Sequence, residues 1–226
     1  MKIISIRRGF ASDHSSTSYE FLAIDRPLDK EDRAAVASLS SRARPTRHSV
    51  SFIYHADGYD IPGGWEPLMR NYYDVMWSES YDWWQLVMAF PLVPQQQEQL
   101  MKYCFDGVDD LGVDVSVYGE RAIVTINCRL ESFGPYDDFG IFDDDNAAVE
   151  LDVETDDTLL HLLAKIRQQL MEGDYRALYE VWLKYGYGDD EEDEDDEEEW
   201  PVPPVPAEKK TGEKIVAAFA EMLILI

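Results

Sequence analysis

The sequence predicts an α+β fold: a mixed sheet with packed helices, followed by an αα-hairpin, an acidic linker and a C-terminal docking helix. Three observations lead there. Short runs rich in β-branched and aromatic residues recur at 19–24, 49–54, 113–117 and 122–128, each bounded by turn-forming residues. Apolar positions three and four apart mark helices at 159–170 and 175–185. Eleven consecutive carboxylates, residues 189–199, then lead into a Pro-rich stretch, and neither segment has the apolar surface a core requires.

The elements follow in order. Residues 2–6 read as a short strand, and the hydroxyl-rich run at 12–18 favours local turns. The strand at 19–24 stops at Asp25-Arg26-Pro27, and Asp29 is placed to cap a helix reaching about Leu39. Residues 49–54 make its partner strand, and 57–64 is a loop by composition. Pro67 suits a helix start, and Leu68, Met69, Tyr72, Tyr73, Met76 and Trp77 extend that helix at spacings of three and four. The continuous apolar run at 83–90, stopped by Pro91, reads as a buried strand, with a helix at 95–103. Tyr118-Gly119-Glu120 turns a hairpin between 113–117 and 122–128. An acidic loop fills 134–157, with a short strand at 149–153. Leu159, Leu163, Ile166 and Leu170 form one helix face ending at Gly173, and Asp174 caps the second helix of the hairpin. The prolines at 201–206 hold the backbone extended, and Thr211 begins a last helix whose Ile215, Phe219, Met222 and Ile226 stripe needs covering by the body. The organisation is therefore a Ser-rich segment at 1–18, a body at 19–153, a helical hairpin at 154–187, a linker at 188–210 and a terminal helix at 211–226.

Charge narrows the choice of partner. At 226 residues and 45% hydrophobic composition the chain can bury one sizeable core, and its formal net charge is −26. Removing the eleven-acid run leaves −15, so the body is expected to be acidic in its own right. Phosphate backbones are repelled by such a field, which excludes nucleic acid and favours a basic protein partner. Two cysteines, Cys104 and Cys128, lack metal-ligand spacing and read as reduced thiols. No stretch approaches the ~20 apolar residues of a membrane span, and the N-terminus lacks a signal-peptide apolar core, so a cytoplasmic protein is expected. No cofactor is implied, and the sequence leaves the oligomeric state open.

Several segments resemble a bacterial family without assigned activity: YEFLAIDRPL at 19–28, ASLSSRA at 37–43, GDYRALYEVWL at 173–183 and PPVP at 203–206. The resemblance implies a shared layout of α+β body, helical hairpin, acidic linker, strap and terminal helix, and carries over no catalytic residue. The opening Gly9-Phe10-Ala11-Ser12 with its serine cluster is also similar to the start of assorted bacterial and archaeal proteins, although Asp13-His14 interrupts the serines here.

The chain contains no Walker A, HExxH, GxSxG or GxGxxG signature. The expected function is therefore non-catalytic recognition of a basic partner, regulatory or immunity-like, through an acidic surface and clustered rings. Candidate binding residues are Trp65, Tyr72, Tyr73, Trp77 and Trp83, which crowd with Trp84, Tyr59 and Tyr81 into one interval. The alternative is a metal-assisted or acid-base hydrolase using His55, Asp57 and Asp60, with His14 beside serines as a further catalytic candidate. His161 reads as a packing residue. Asp137, Asp138, Asp143, Asp144, Asp145 and Asn146 lack the ordered spacing of a calcium loop. Arg33, Arg42, Arg44 and Arg47 form the basic cluster, which is expected to receive the acidic run until a basic partner displaces it.

Overall fold

The structure is a computed structural model that describes residues 17–55, 60–80, 83–130, 159–186 and 201–223. Seven strands form one sheet: β1 (Thr17–Leu22), β2 (Ser49–Tyr54), β3 (Val75–Ser80), β4 (Trp83–Pro91), β5 (Phe105–Asp106), β6 (Gly112–Tyr118) and β7 (Arg121–Cys128). Their order across the sheet is β2-β1-β3-β4-β7-β6-β5. The α+β class is as expected, but every strand pairing among the described residues is antiparallel, where a mixed sheet was expected. Short connections make hairpins of the consecutive pairs β3–β4 and β6–β7, and β1 lies antiparallel to both of its neighbours.

Helices cover both faces of the sheet. On one face α1 (Lys30–Ala37) and α2 (Glu66–Asn71) pack over Tyr19, Phe21, Val50, Phe52, Met76, Val87 and Ile123. On the other, α4 (Leu159–Met171), α5 (Arg176–Tyr185) and α6 (Glu213–Met222) cover Val75, Trp77, Leu86, Met88, Val113, Val124 and Ile126. The short α3 (Pro94–Leu100) and the 3₁₀ turn Met101–Tyr103 join this second core. Because successive strand residues face opposite ways, central strands covered on both sides lose any apolar–polar alternation.

Local chemistry explains the boundaries. Asp29 Oδ1 accepts the Glu31 and Asp32 backbone N–H groups, both at 2.8 Å, and Asp32 returns a bond to the Asp29 backbone, completing a capping box for α1. The helix expected to run through Trp77 stops at Asn71, because Val75 to Ser80 pair with β1 and β4 instead. Gly173 adopts φ 71 between α4 and α5, the left-handed conformation that ends a helix without a Cβ clash.

Residues 201–209, without helix or strand, form a strap fastened to the body. The Tyr103 hydroxyl donates to the Pro204 carbonyl (3.0 Å). Arg176, gripped by the Asp174 carboxylate, donates to the Lys209 and Thr211 carbonyls, and Gln169 Nε2 donates to the Gly212 carbonyl (3.2 Å). The strap delivers α6 against α4 and α5, where Val216, Phe219 and Met222 are buried, and Leu223 pairs with Leu130.

A buried ionic clasp that sequence patterns did not indicate ties α4 to the sheet. Asp74 Oδ2 accepts the Ile24 and Asp25 backbone N–H groups at 2.6 and 2.9 Å, while Oδ1 accepts Arg121 Nη2 at 2.8 Å. Arg167 of α4 lies 3.7 Å from the same Oδ1, donates to the Ala89 carbonyl at 2.7 Å and pairs closely with Asp25. Asp74 and Arg167 are nearly inaccessible, so each needs the other charges to offset lost hydration.

No helix among the described residues is long and apolar enough to cross a membrane. Little of the negative charge falls on the described residues, which hold 17 Lys and Arg against 21 Asp and Glu, a balance of −4. Twenty-two acids fall within 131–158 and 187–200, outside the described residues.

Candidate functional site

The sheet face beneath α1 and α2 changes character from one side to the other. Across β2, β1 and the Met76 end of β3 it is apolar, but towards β6 the same face presents Gln85, Thr125, Asn127, Asp114 and Ser116. The register puts these residues side by side: Gln85 opposite Asn127, Thr125 opposite Asp114, and Ile123 opposite Ser116. Strand periodicity turns residues two apart in sequence into neighbours on one surface.

This polar floor becomes a basin because α2 stands at its edge. Gly63 and Gly64 take φ of 85 and 80, a turn that residues with a Cβ adopt only with strain, and it carries Trp65 and Glu66 to the rim. A Cβ on Gly64 would come 2.5 Å from Glu66 Oε2, so glycine there also makes room for the carboxylate. Tyr118 also lines the cavity, and the Arg70 guanidinium of α2 lies over its ring, 3.4 Å from the centroid. The resulting cavity has a volume of about 220 Å³.

Hydrogen bonds order the floor. Ser78 Oγ donates to Gln85 Oε1 (3.3 Å), Gln85 Nε2 donates to Asn127 Oδ1 (3.2 Å), and Ser116 Oγ donates to Asp114 Oδ2 (3.1 Å). Thr125, 7% exposed as a residue, lines the cavity among these groups. The set combines acceptors at Glu66 and Asp114, donors at Asn127 and Gln85, and two rings, which suits binding of a polar or cationic group.

The aromatic residues singled out from sequence do not form one surface. Tyr73 is 0% exposed beneath α2, in contact with Phe21 at a centroid separation of 5.3 Å. Trp77 is 3% exposed on the opposite face, 5.4 Å from Trp84. Both are core residues, Trp77 in the cluster under α4 to α6 and Tyr73, just before β3, in the cluster under α1 and α2. Tyr72 is half-buried against the first core; Trp65 is half-buried at the basin rim; Trp83 is 37% exposed with the Arg129 guanidinium 5.3 Å from its ring centroid. Of the five, only Trp65 lines the basin.

Of the hydrolase candidates, His55 and Asp60 are among the described residues. Asp57 and His14 lie outside the described residues, as do the acidic run, Tyr59, Tyr81, the Asp137 to Asn146 cluster and the expected strands at 2–6 and 149–153. Asp60 is engaged structurally: Oδ1 accepts the Tyr19 hydroxyl at 2.8 Å and the Ile61 backbone N–H at 2.6 Å. Burial first, and then this carboxylate, push the Tyr19 phenol up. His55 is exposed at the end of β2, and His161 is half-buried on α4. Among the described residues no group of three or more His, Cys, Asp or Glu is placed to hold a metal ion.

Arg42, Arg44 and Arg47 are exposed around the loop between α1 and β2, with Arg33 half-buried nearby. Arg44 Nη1 donates to the Ser41 and Ala43 carbonyls at 2.9 and 2.8 Å, and Arg33 Nε to the Asp29 carbonyl at 3.1 Å. No ion pair among the described residues involves any of the four. The basin could have been sought in the sequence from one signal, the polar Gln85, Thr125 and Asn127 inside otherwise apolar strand runs. Comparison of the chain with protein-family models, curated proteins and solved structures finds no match.

Proposed function

We propose that this protein acts by recognising a basic protein partner, and that its role is regulatory and non-catalytic. One observation carries the reading: the negative charge is segregated. Twenty-two acids lie in two segments, while the described residues balance to −4. Dense like charge attracts a cationic surface over distances near the ~8–10 Å Debye length, and repels phosphate backbones. Such attraction raises the rate of encounter and leaves selectivity to short-range contacts on the folded body.

The test is binding of an oligo-arginine peptide to the full chain, measured by calorimetry at low and high salt, beside an oligo-glutamate control. Binding of the cationic peptide alone, weakening steeply with salt and reduced when acids 189–199 are changed to Gln and Asn, supports the reading. Absence of binding at low salt overturns it.

A further inference from the structure

Long-range attraction does not say where on the body a basic partner is read. We infer that the basin formed by β4, β6, β7 and α2 receives one basic side chain of the partner, with arginine the favoured residue. This rests on the recognition reading above and adds its site and chemical specificity.

Four observations converge there. First, Glu66 and Asp114 supply carboxylate acceptors within one cavity; Ser116 occupies Asp114 Oδ2, and no described residue hydrogen-bonds Oδ1. Second, the walls are the Trp65 and Tyr118 rings, and Tyr118 already carries a guanidinium of its own chain, Arg70, at 3.4 Å. Planar, weakly hydrated guanidinium stacks on rings in this way more readily than a compact ammonium. With two carboxylates against the one Arg70, the local balance still favours a cation.

Third, Thr125 lines the cavity floor between Asp114 and Gln85, adding a hydroxyl to the polar set. The hydroxyl opens onto the cavity, where it can accept from or donate to a bound group. Fourth, the Ser78–Gln85–Asn127 chain of hydrogen bonds engages both amide carbonyls and leaves the Asn127 N–H groups as donors. Donors are of no use to a bare cation, but they match the carbonyl of a peptide that carries one. The volume of about 220 Å³ takes a guanidinium and part of its stem and excludes a folded segment.

The experiment is a titration of the full chain with N-acetyl-arginine methylamide and its neutral isostere N-acetyl-citrulline methylamide, followed by NMR at the Trp65 indole and Asn127 side-chain amide. The arginine compound is expected to shift both signals and to bind about ten-fold or more tightly than citrulline, since hydrogen bonds to charged groups are the strong ones. Asp114→Asn and, separately, Thr125→Val, each verified as folded by an unchanged amide spectrum elsewhere, are expected to weaken binding. Equal binding of citrulline, shifts confined to other surfaces, or shifts in the basin with a neutral hexose but not with arginine would each overturn the inference. Oligo-arginine binding unaffected by Asp114→Asn yet lost on neutralising 189–199 also overturns it while leaving the recognition reading intact. Failure of every form to bind oligo-arginine overturns the reading itself.

Discussion

Replacing Asp74 by alanine should be among the most damaging single changes in this chain. The carboxylate stands between α2 and β3, only 4% of the residue exposed, and accepts two backbone N–H groups and Arg121 Nη2 at 2.6 to 2.9 Å. Its loss leaves Arg167 buried with the Asp25 side chain as its remaining ion-pair partner, and Arg121 with the Tyr73 and Met69 carbonyls. Removing one member of a buried ion cluster costs about 3–5 kcal/mol, a large part of a typical total of about 5–15 kcal/mol. For a chain of this length, that is a fall in Tm of roughly 6–20 °C, at about 2–4 °C per kcal/mol. Urea unfolding followed by tryptophan fluorescence measures it, with Asp74→Asn as the variant that keeps shape and one acceptor and is expected to lose less. The reasoning fails if Asp74→Ala costs under about 1 kcal/mol, or if its effect adds to that of Arg121→Ala without coupling, because contacting charges must show non-additivity.

Other consequences follow from the same contacts. Phe219→Ala, at a fully buried position of α6, should cost about 3–5 kcal/mol and raise hydrogen exchange in α6 before that of β4 and β7. Burial works to raise the Asp174 carboxyl, but its hydrogen bonds and charge attraction to Arg176 outweigh that and hold it below the ordinary carboxylate value. The folded chain therefore binds this proton more weakly than the unfolded chain, and the contribution is present above the ordinary carboxylate pKa and lost as pH falls through the folded value. Asp174→Asn should accordingly flatten the acid limb of a urea-midpoint-against-pH curve. Burial, assisted by Asp114, pushes the half-buried Cys104 thiol up to about 11, and complete burial raises Cys128 as well. Disulfide-exchange labelling at pH 8 should be slow for Cys104, slower for Cys128, and rapid for both in denaturant, since the thiolate is the reactive form.

Much of this fold was legible because its signals are local. The strand at 49–54, the hairpin around Gly119, the Asp29 cap and the helix pair meeting at Gly173 each announce themselves within a few residues. The misread helix beyond Asn71 has a physical cause: β3 is buried on both faces, so Met76 and Trp77 are both apolar and no alternation distinguishes strand from helix. The short β5 carries too few residues for any periodicity to register. The ionic clasp was illegible for another reason: Asp25, Asp74, Arg121 and Arg167 are brought together only by the tertiary fold. Ring density between 65 and 84 was visible, but not that the sheet divides the rings between two cores.

The fastening of α6 by its strap also sets an order of events during synthesis. The apolar sides of α4 and α5 leave the ribosome well before Phe219 and Met222 arrive to cover them, an interval of roughly 2–8 s at ~5–20 residues per second. For that interval the nascent chain carries an open greasy surface, followed immediately by the densest anionic stretch in the sequence. Mutual repulsion between neighbouring nascent chains then opposes their sticking together until the last helix is in place.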